Sequence, residues 1–247
     1  MILIAGDSLT AGNIGIGFTE FLPEGSYLFR GIDGDTMRGV TSRTLRYIRQ
    51  SKIRTQLRGI VLECGTNDVL LPYLLSSPLK LLRDSAHTLI RESSEPSGDS
   101  LEFYTIYRER LRAIIKETSG ILETNQIAIT TLPPIGEDLD HELQDLRKGH
   151  NTQIRRISEE FCLSLIDLEA AMLRLYRESP PFKESPYFMD DPGNFIIDAR
   201  LIASDHRKAL ALTQKRGLNY TIDGLHFNAN GARALAIPFS EFIETLN

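Results

Sequence analysis

Ser8 lies in the run MILIAGDSLTAG, directly after a short apolar, partly β-branched stretch. A hydroxyl beside a carboxylate at the tip of a strand suits a turn, and it equally suits a nucleophile. A serine hydroxyl attacks a carbonyl efficiently only when a base takes its proton. A histidine can do so near neutral pH, and one stands in Asp223-Gly224-Leu225-His226. That spacing lets a short turn bring the Asp223 carboxylate to one ring nitrogen of His226, fixing the tautomer and stabilising the imidazolium. The tetrahedral intermediate of such an acyl transfer needs donors for its oxyanion. Candidates are the N–H of Ser8, the N–H of Gly34 in Asp33-Gly34-Asp35-Thr36, and the side-chain amide of Asn67 in Gly65-Thr66-Asn67-Asp68. Glycine at position 34 keeps a side chain out of the path of an acyl oxygen approaching the backbone.

For these residues to meet, the elements that carry them must end on one edge. Strand-like runs at Met1–Ala5, Tyr27–Ile32, Gly59–Cys64, Gln126–Leu132 and Leu163–Leu168 are short, apolar and rich in isoleucine, leucine and valine. Strands buried on both faces look like this, and parallel sheets bury both faces. Helical patterns alternate with them, at about Met37–Ser51, Pro78–Ser93, Leu101–Thr118, Asp140–Glu160 and Glu169–Glu178. A further apolar helical face follows His226, with Pro238 expected to kink it. This alternation implies an open α/β sheet with right-handed crossovers, and five strands suit a flavodoxin-like order. In such a sheet ligands sit beyond the C-terminal strand ends. Ser8, Gly34 and Asn67 each follow a strand.

Composition narrows the partners. The 247-residue chain is 41% hydrophobic and 25% charged, with a formal net charge of −5. That balance favours a globular protein with a sizeable core and argues against nucleic acid as a partner. No apolar stretch approaches the roughly 20 residues that span a bilayer. The chain enters its first strand directly, so a cytoplasmic protein without a signal peptide is expected. Cys64 and Cys162 lie in apolar runs and read as buried, reduced residues in strands. Residues 179–195, SPPFKESPYFMDDPGNF, are irregular, with prolines and aromatics suited to a lid, a pocket wall, a subunit contact or a self-packed surface loop.

AGDSLTAG, the glycine of GIDGDT, CGTND and DGLH, in that order, resemble the four blocks of the SGNH hydrolase (GDSL esterase/lipase) superfamily. The resemblance runs the length of the chain. It implies a flavodoxin-like three-layer α/β/α sandwich over 1–247, with an irregular insertion at about 179–200. It implies a cofactor-independent enzyme without a metal that cleaves carboxylic esters or thioesters of small or lipid or carbohydrate alcohols. Its nucleophile would be Ser8, its oxyanion donors Ser8, Gly34 and Asn67, and its base His226 oriented by Asp223. Members often carry asparagine at the place of Phe29, so the departure bears on the subfamily. An acyltransferase, or a non-catalytic acyl- or glycan-binding module on the same scaffold, are the alternatives.

Each residue also has a plainer reading. Ser8 could cap the first helix, Asn67 and Asp68 could be turn residues, and His226 could be a hydrogen-bonded surface histidine. His87, His141, His150 and His206 read as solvated or structural. Gly12, Gly15 and Gly17 do not make the dinucleotide fingerprint. Asp138, Asp140 and His141 suit a helix start better than a metal site.

Overall fold

The computed structural model describes residues 1–92, 95–180 and 205–246. All but the first two positions of the 179–200 insertion lie outside them. The strands are β1 (Ile2–Gly6), β2 (Tyr27–Gly31), β3 (Gly59–Glu63), β4 (Ile127–Thr130) and β5 (Ser164–Ile166). They form one parallel sheet in the order β2-β1-β3-β4-β5. This is the flavodoxin-like arrangement that the apolar runs imply.

The alternation of side chains along each strand builds two cores. Leu3, Ala5, Ile60, Leu62, Ile127 and Ile129 face one side. There they meet α2 (Met37–Ile48), α6 (Ser100–Thr118) and α7 (Glu142–Phe161) through Met37, Val40, Phe103, Leu111, Leu143 and Ile154. Ile2, Ile4, Val61, Ala128 and Ile166 face the other side. Their partners are α8 (Leu168–Glu178), α9 (His206–Lys215) and α10 (Ala229–Thr245). On that side the rings of Phe18 and Phe239 stack with centroids 4.0 Å apart. Burying one such aliphatic or aromatic side chain contributes about 1.5–3 kcal/mol, so the sheet is held from both faces.

β1 pairs with β2 on one side and with β3 on the other, and Gly6 lies level with Gly31 and Glu63. The chain therefore reverses its direction of travel across the sheet at the end of β1, the point where open α/β sheets form a crevice. The short helix α1 (Ser8–Ala11) starts there.

Some elements differ from the sequence expectation. The residues after β3 are the first turn of α4 (Thr66–Ser76), which contains Pro72. The helix expected over 78–93 runs as α5 (Lys80–Glu92), with position 93 outside the described residues. The helical pattern from Met37 stops at Ile48 and resumes as the single turn α3 (Ser51–Arg54). Cys162 is neither in a strand nor buried: it is exposed and ends α7 in the left-handed conformation, φ 53°. A helix C-terminus commonly demands that conformation, and here a cysteine adopts it. Cys64 is buried and free, as expected, just beyond β3.

Candidate active site

α1 is a single helical turn, and its cap is Asp7: Oδ1 accepts the Leu9 N–H at 3.0 Å. Ser8 is therefore the first helical residue rather than the capping residue, which leaves its hydroxyl uncommitted to the backbone. That hydroxyl lies 2.9 Å from His226 Nε2, and His226 Nδ1 lies 2.7 Å from Asp223 Oδ2. A carboxylate only accepts, so Nδ1 carries the ring proton and Nε2 accepts from Ser8. Asp223 Oδ1 takes the N–H groups of Leu225 and His226 at 2.9 and 2.7 Å. The carboxylate is fully buried and satisfied by three bonds, while Ser8 and His226 keep 6% and 5% of their surface exposed. The structure thus joins the sequence-predicted Ser8, His226 and Asp223 in one hydrogen-bonded chain.

The loop carrying Asp223 and His226 is fixed from beneath. Glu137, buried in the loop after β4, accepts the N–H groups of Asn219, Tyr220 and Thr221, each at 2.8 Å, and the Thr221 hydroxyl at 2.7 Å. Thr221 and Phe227 form an antiparallel bridge, and the Ile222 N–H reaches the His226 carbonyl at 2.8 Å. The Gly136 N–H donates to the Gly224 carbonyl at 2.6 Å. Gly15 lets the first loop pack against this hairpin: its φ is +68°, and a Cβ there would stand 2.6 Å from the Phe227 carbonyl oxygen. Glu137 carries no local signal in the sequence: it sits in a polar run, and its partners are more than 80 positions away.

The opposite side of Ser8 is made by three strand ends. Gly34 is the third residue of a turn closed by the Asp35 N–H on the Ile32 carbonyl at 3.2 Å, and its φ is +75°. That position favours glycine. Among the described residues the N–H groups of Ser8 and Gly34 have no hydrogen-bond partner. The Asn67 amide is placed at the N-terminus of α4, with Nδ2 3.0 Å from the Asp35 carbonyl and 3.2 Å from Asp7 Oδ2.

Around these donors lies a set of buried acids that the sequence analysis did not assign. Asp35 binds Arg43, whose Nη2 also donates to the Gly6 carbonyl at 3.0 Å and whose Nη1 donates to the Arg30 carbonyl at 2.7 Å. This arginine ties β1, β2 and α2 together. Asp68 accepts the Met37 N–H at 2.8 Å, satisfying the start of α2, and both Ser97 donors at 2.9 Å. Burial raises the proton affinity of Asp35 and Asp68 against those donors. Burial first, and the charge of Glu63 second, push Asp7 well above the usual carboxylate range. Glu63 itself is raised by burial.

The remaining histidines are engaged elsewhere or exposed. His206 pairs with Glu20 at 2.8 Å, and His141 caps α7 by accepting the Leu143 N–H at 3.2 Å. His150 packs edge-on against Phe103, and burial lowers its proton affinity. His87 is exposed. Asp138 accepts the Asp140 N–H at 2.9 Å, which is a local turn contact. Among the described residues there is no cluster of side chains able to hold a metal ion, and no helix is long and apolar enough to cross a membrane.

No protein-family model matches the chain, and no curated protein matches it either. Solved structures do share its fold. An alpha/beta hydrolase enzyme, LAE5, from the metagenome of Lake Arreo, Spain, superposes with a TM-score of 0.60 at 15% identity, covering 100% of this chain and 95% of that one. The acetylxylan esterase Axe2 of Geobacillus stearothermophilus gives 0.57 at 17% identity, with 98% and 93% covered. A member of the lipolytic protein G-D-S-L family from Veillonella parvula gives 0.56 at 16% identity, with 97% and 96% covered. Similarity at these identities shows a common fold over essentially the whole of each chain.

Proposed function

We propose that this chain is a serine hydrolase of the SGNH (GDSL) type, cleaving carboxylic esters or thioesters through an acyl-serine intermediate. The observation that carries this reading is the chain of bonds from Ser8 Oγ through His226 to Asp223, at 2.9 and 2.7 Å. It lies at the reversal point of a sheet shared with structures described as hydrolases and esterases.

The geometry supports the following steps. His226 Nε2 takes the Ser8 proton as Oγ bonds to the ester carbonyl carbon, and the resulting imidazolium is stabilised across Nδ1–H by Asp223. The oxyanion forms beside the free N–H groups of Ser8 and Gly34. Asn67 supplies a third donor by exchanging its longer bond, to Asp7, for the new oxygen. The tetrahedral intermediate collapses, and His226 returns the proton to the departing alkoxide. Water then repeats the sequence on the acyl-serine, restoring the free hydroxyl. Each oxyanion donor of this kind is worth about 2.7–4 kcal/mol of transition-state stabilisation.

The named neighbours guide the choice of substrate. Axe2 is described as an esterase of acetylxylan and acetyl-xylooligosaccharides, and the Veillonella protein as lipolytic. A panel running from acetylated xylooligosaccharides to p-nitrophenyl esters of increasing acyl length therefore covers both chemistries. Ser8→Ala should lower turnover of p-nitrophenyl acetate by about 10⁶-fold, the size of effect seen when a nucleophile that works with its base is removed. Unchanged turnover would refute the reading.

A further inference from the structure

Arg43 reaches from α2 to the ends of β1 and β2 and is almost completely buried, with 6% of its surface exposed. The mechanism above does not use it. Its ion pair with Asp35 is weak ground for stability, because the cost of taking two charges out of water offsets much of their attraction. What a guanidinium does supply is a rigid planar fork, with N–H groups in fixed directions. Four hydrogen bonds leave this fork. Nη1 donates to the Arg30 carbonyl at 2.7 Å, Nη2 donates to the Gly6 carbonyl at 3.0 Å, and both Nε, at 2.9 Å, and Nη2 donate to Asp35 Oδ2.

These acceptors lead to all three oxyanion donors. Gly6 ends β1, two residues before Ser8. Its carbonyl also accepts the Ile32 N–H at 3.1 Å, and Ile32 in turn closes the turn that presents the Gly34 N–H. Arg30 lies in β2, on the approach to the same turn. Asp35 follows Gly34. Its Oδ1 accepts the Thr36 N–H at 3.0 Å, and its backbone carbonyl holds the Asn67 amide at 3.0 Å. α2 is built to admit the carboxylate: Gly39 lies four residues before Arg43, on the same face, and a Cβ there would collide with Asp35 Oδ1. Glycine weakens a helix interior, and at this position it makes the room that the ion pair occupies.

We propose that Arg43 is a positioning residue for the oxyanion donors: its fork fixes the ends of β1 and β2 and the Asp35 carboxylate against one another, and so holds the N–H groups of Ser8 and Gly34 and the amide of Asn67 at a set spacing. The proposal rests on the acyl-transfer reading above and adds a residue to it. Arg43 touches neither the substrate nor the reacting atoms. The oxyanion exists only in the transition state and the tetrahedral intermediate, so donors that drift apart lower kcat and leave KM nearly unchanged.

Two substitutions loosen the fork from its two ends. Arg43→Lys keeps a positive charge opposite Asp35 but replaces the planar fork with one ammonium on a flexible stem. Asp35→Asn keeps the size of the side chain and the backbone carbonyl for Asn67, and removes the charge that grips Arg43. The experiment measures kcat and KM for p-nitrophenyl acetate, well below the melting temperature, in wild type, Arg43→Lys, Asp35→Asn and Asn67→Ala. It includes each of the first two variants combined with Asn67→Ala, and Ser8→Ala. The expected result is a fall in kcat of about 10²-fold in Arg43→Lys and about tenfold or more in Asp35→Asn, the scale of a small misplacement of catalytic groups, with KM little changed. In the Asn67→Ala background each loss should shrink, because one donor that the fork places is already gone. A merely structural role would lower the melting temperature, leave kcat of the folded enzyme intact and give losses that multiply. An unchanged kcat, a change confined to KM, or fully multiplicative losses would overturn the role of Arg43. If Arg43→Lys fails to fold, Asp35→Asn and its double variant decide by the same criteria. Activity persisting in Ser8→Ala would instead overturn the acyl-serine reading itself, so the two failures are distinct.

Discussion

The two sides of Ser8 are built differently. On the base side, Asp223 and His226 come from one four-residue turn, and Asp223 orients both the backbone and the ring of His226. Glu137 then clamps the three residues before that turn. On the donor side, Ser8, Gly34 and Asn67 come from the ends of three separate strands, and the Asn67 amide reaches across to the Asp7 carboxyl and the Asp35 backbone carbonyl. The base side is local and closely bonded around Asp223. The donor side is assembled at long range, with the buried acids Asp7, Asp35 and Asp68 around it. Under the proposed function, the first side sets whether a proton can move, and the second receives the developing charge.

This contrast can be broken from either side. Asp223→Asn should have the larger effect: Asn would favour the wrong tautomer of His226, and kcat should fall by about 10⁴-fold with the fold intact. A loss under about tenfold would show that the carboxylate does not govern the base. Asn67→Ala comes next, with kcat down about 10²–10³-fold and KM nearly constant, as befits a donor used mainly in the transition state. A change confined to KM would mean that the amide only binds substrate. Glu137→Ala should have the smallest effect on chemistry and a clear one on stability. It leaves three backbone N–H groups and a hydroxyl without their acceptor, each costing about 1–3 kcal/mol if it stays buried. A lowered melting temperature together with reduced kcat is expected in thermal denaturation and steady-state assays; an unchanged melting temperature would refute the clamp.

The sequence makes these two sides unequally legible. Asp223 and His226 announce themselves because their spacing is local, and the strand ends could be placed because buried parallel strands have a simple apolar pattern. The five strands and their order follow from that pattern. Glu63 could not be found the same way. In GIVLE it is one charged residue closing a strand, and its partners Thr10 and Asp7 are more than 50 positions away. α4 escaped for a different reason: TNDVLLPYLLS is apolar on several faces and contains Pro72, so it lacks the periodicity that marks an amphipathic helix. Ser8 as a cap was a reasonable expectation from residue type, yet Asp7 is better placed to do that work. Cys162 looked like part of a strand because the residues after it are one. The need to end α7 with a left-handed residue became visible only with the backbone in hand.

The proposed function requires Ser8 to be a nucleophile activated by His226. Incubating the folded protein with a fluorophosphonate and locating the adduct by peptide mass spectrometry tests this most directly. Stoichiometric modification at Ser8 is expected, lost when His226 is replaced by alanine. No adduct, or an adduct on another residue with Ser8 unmodified, would contradict it.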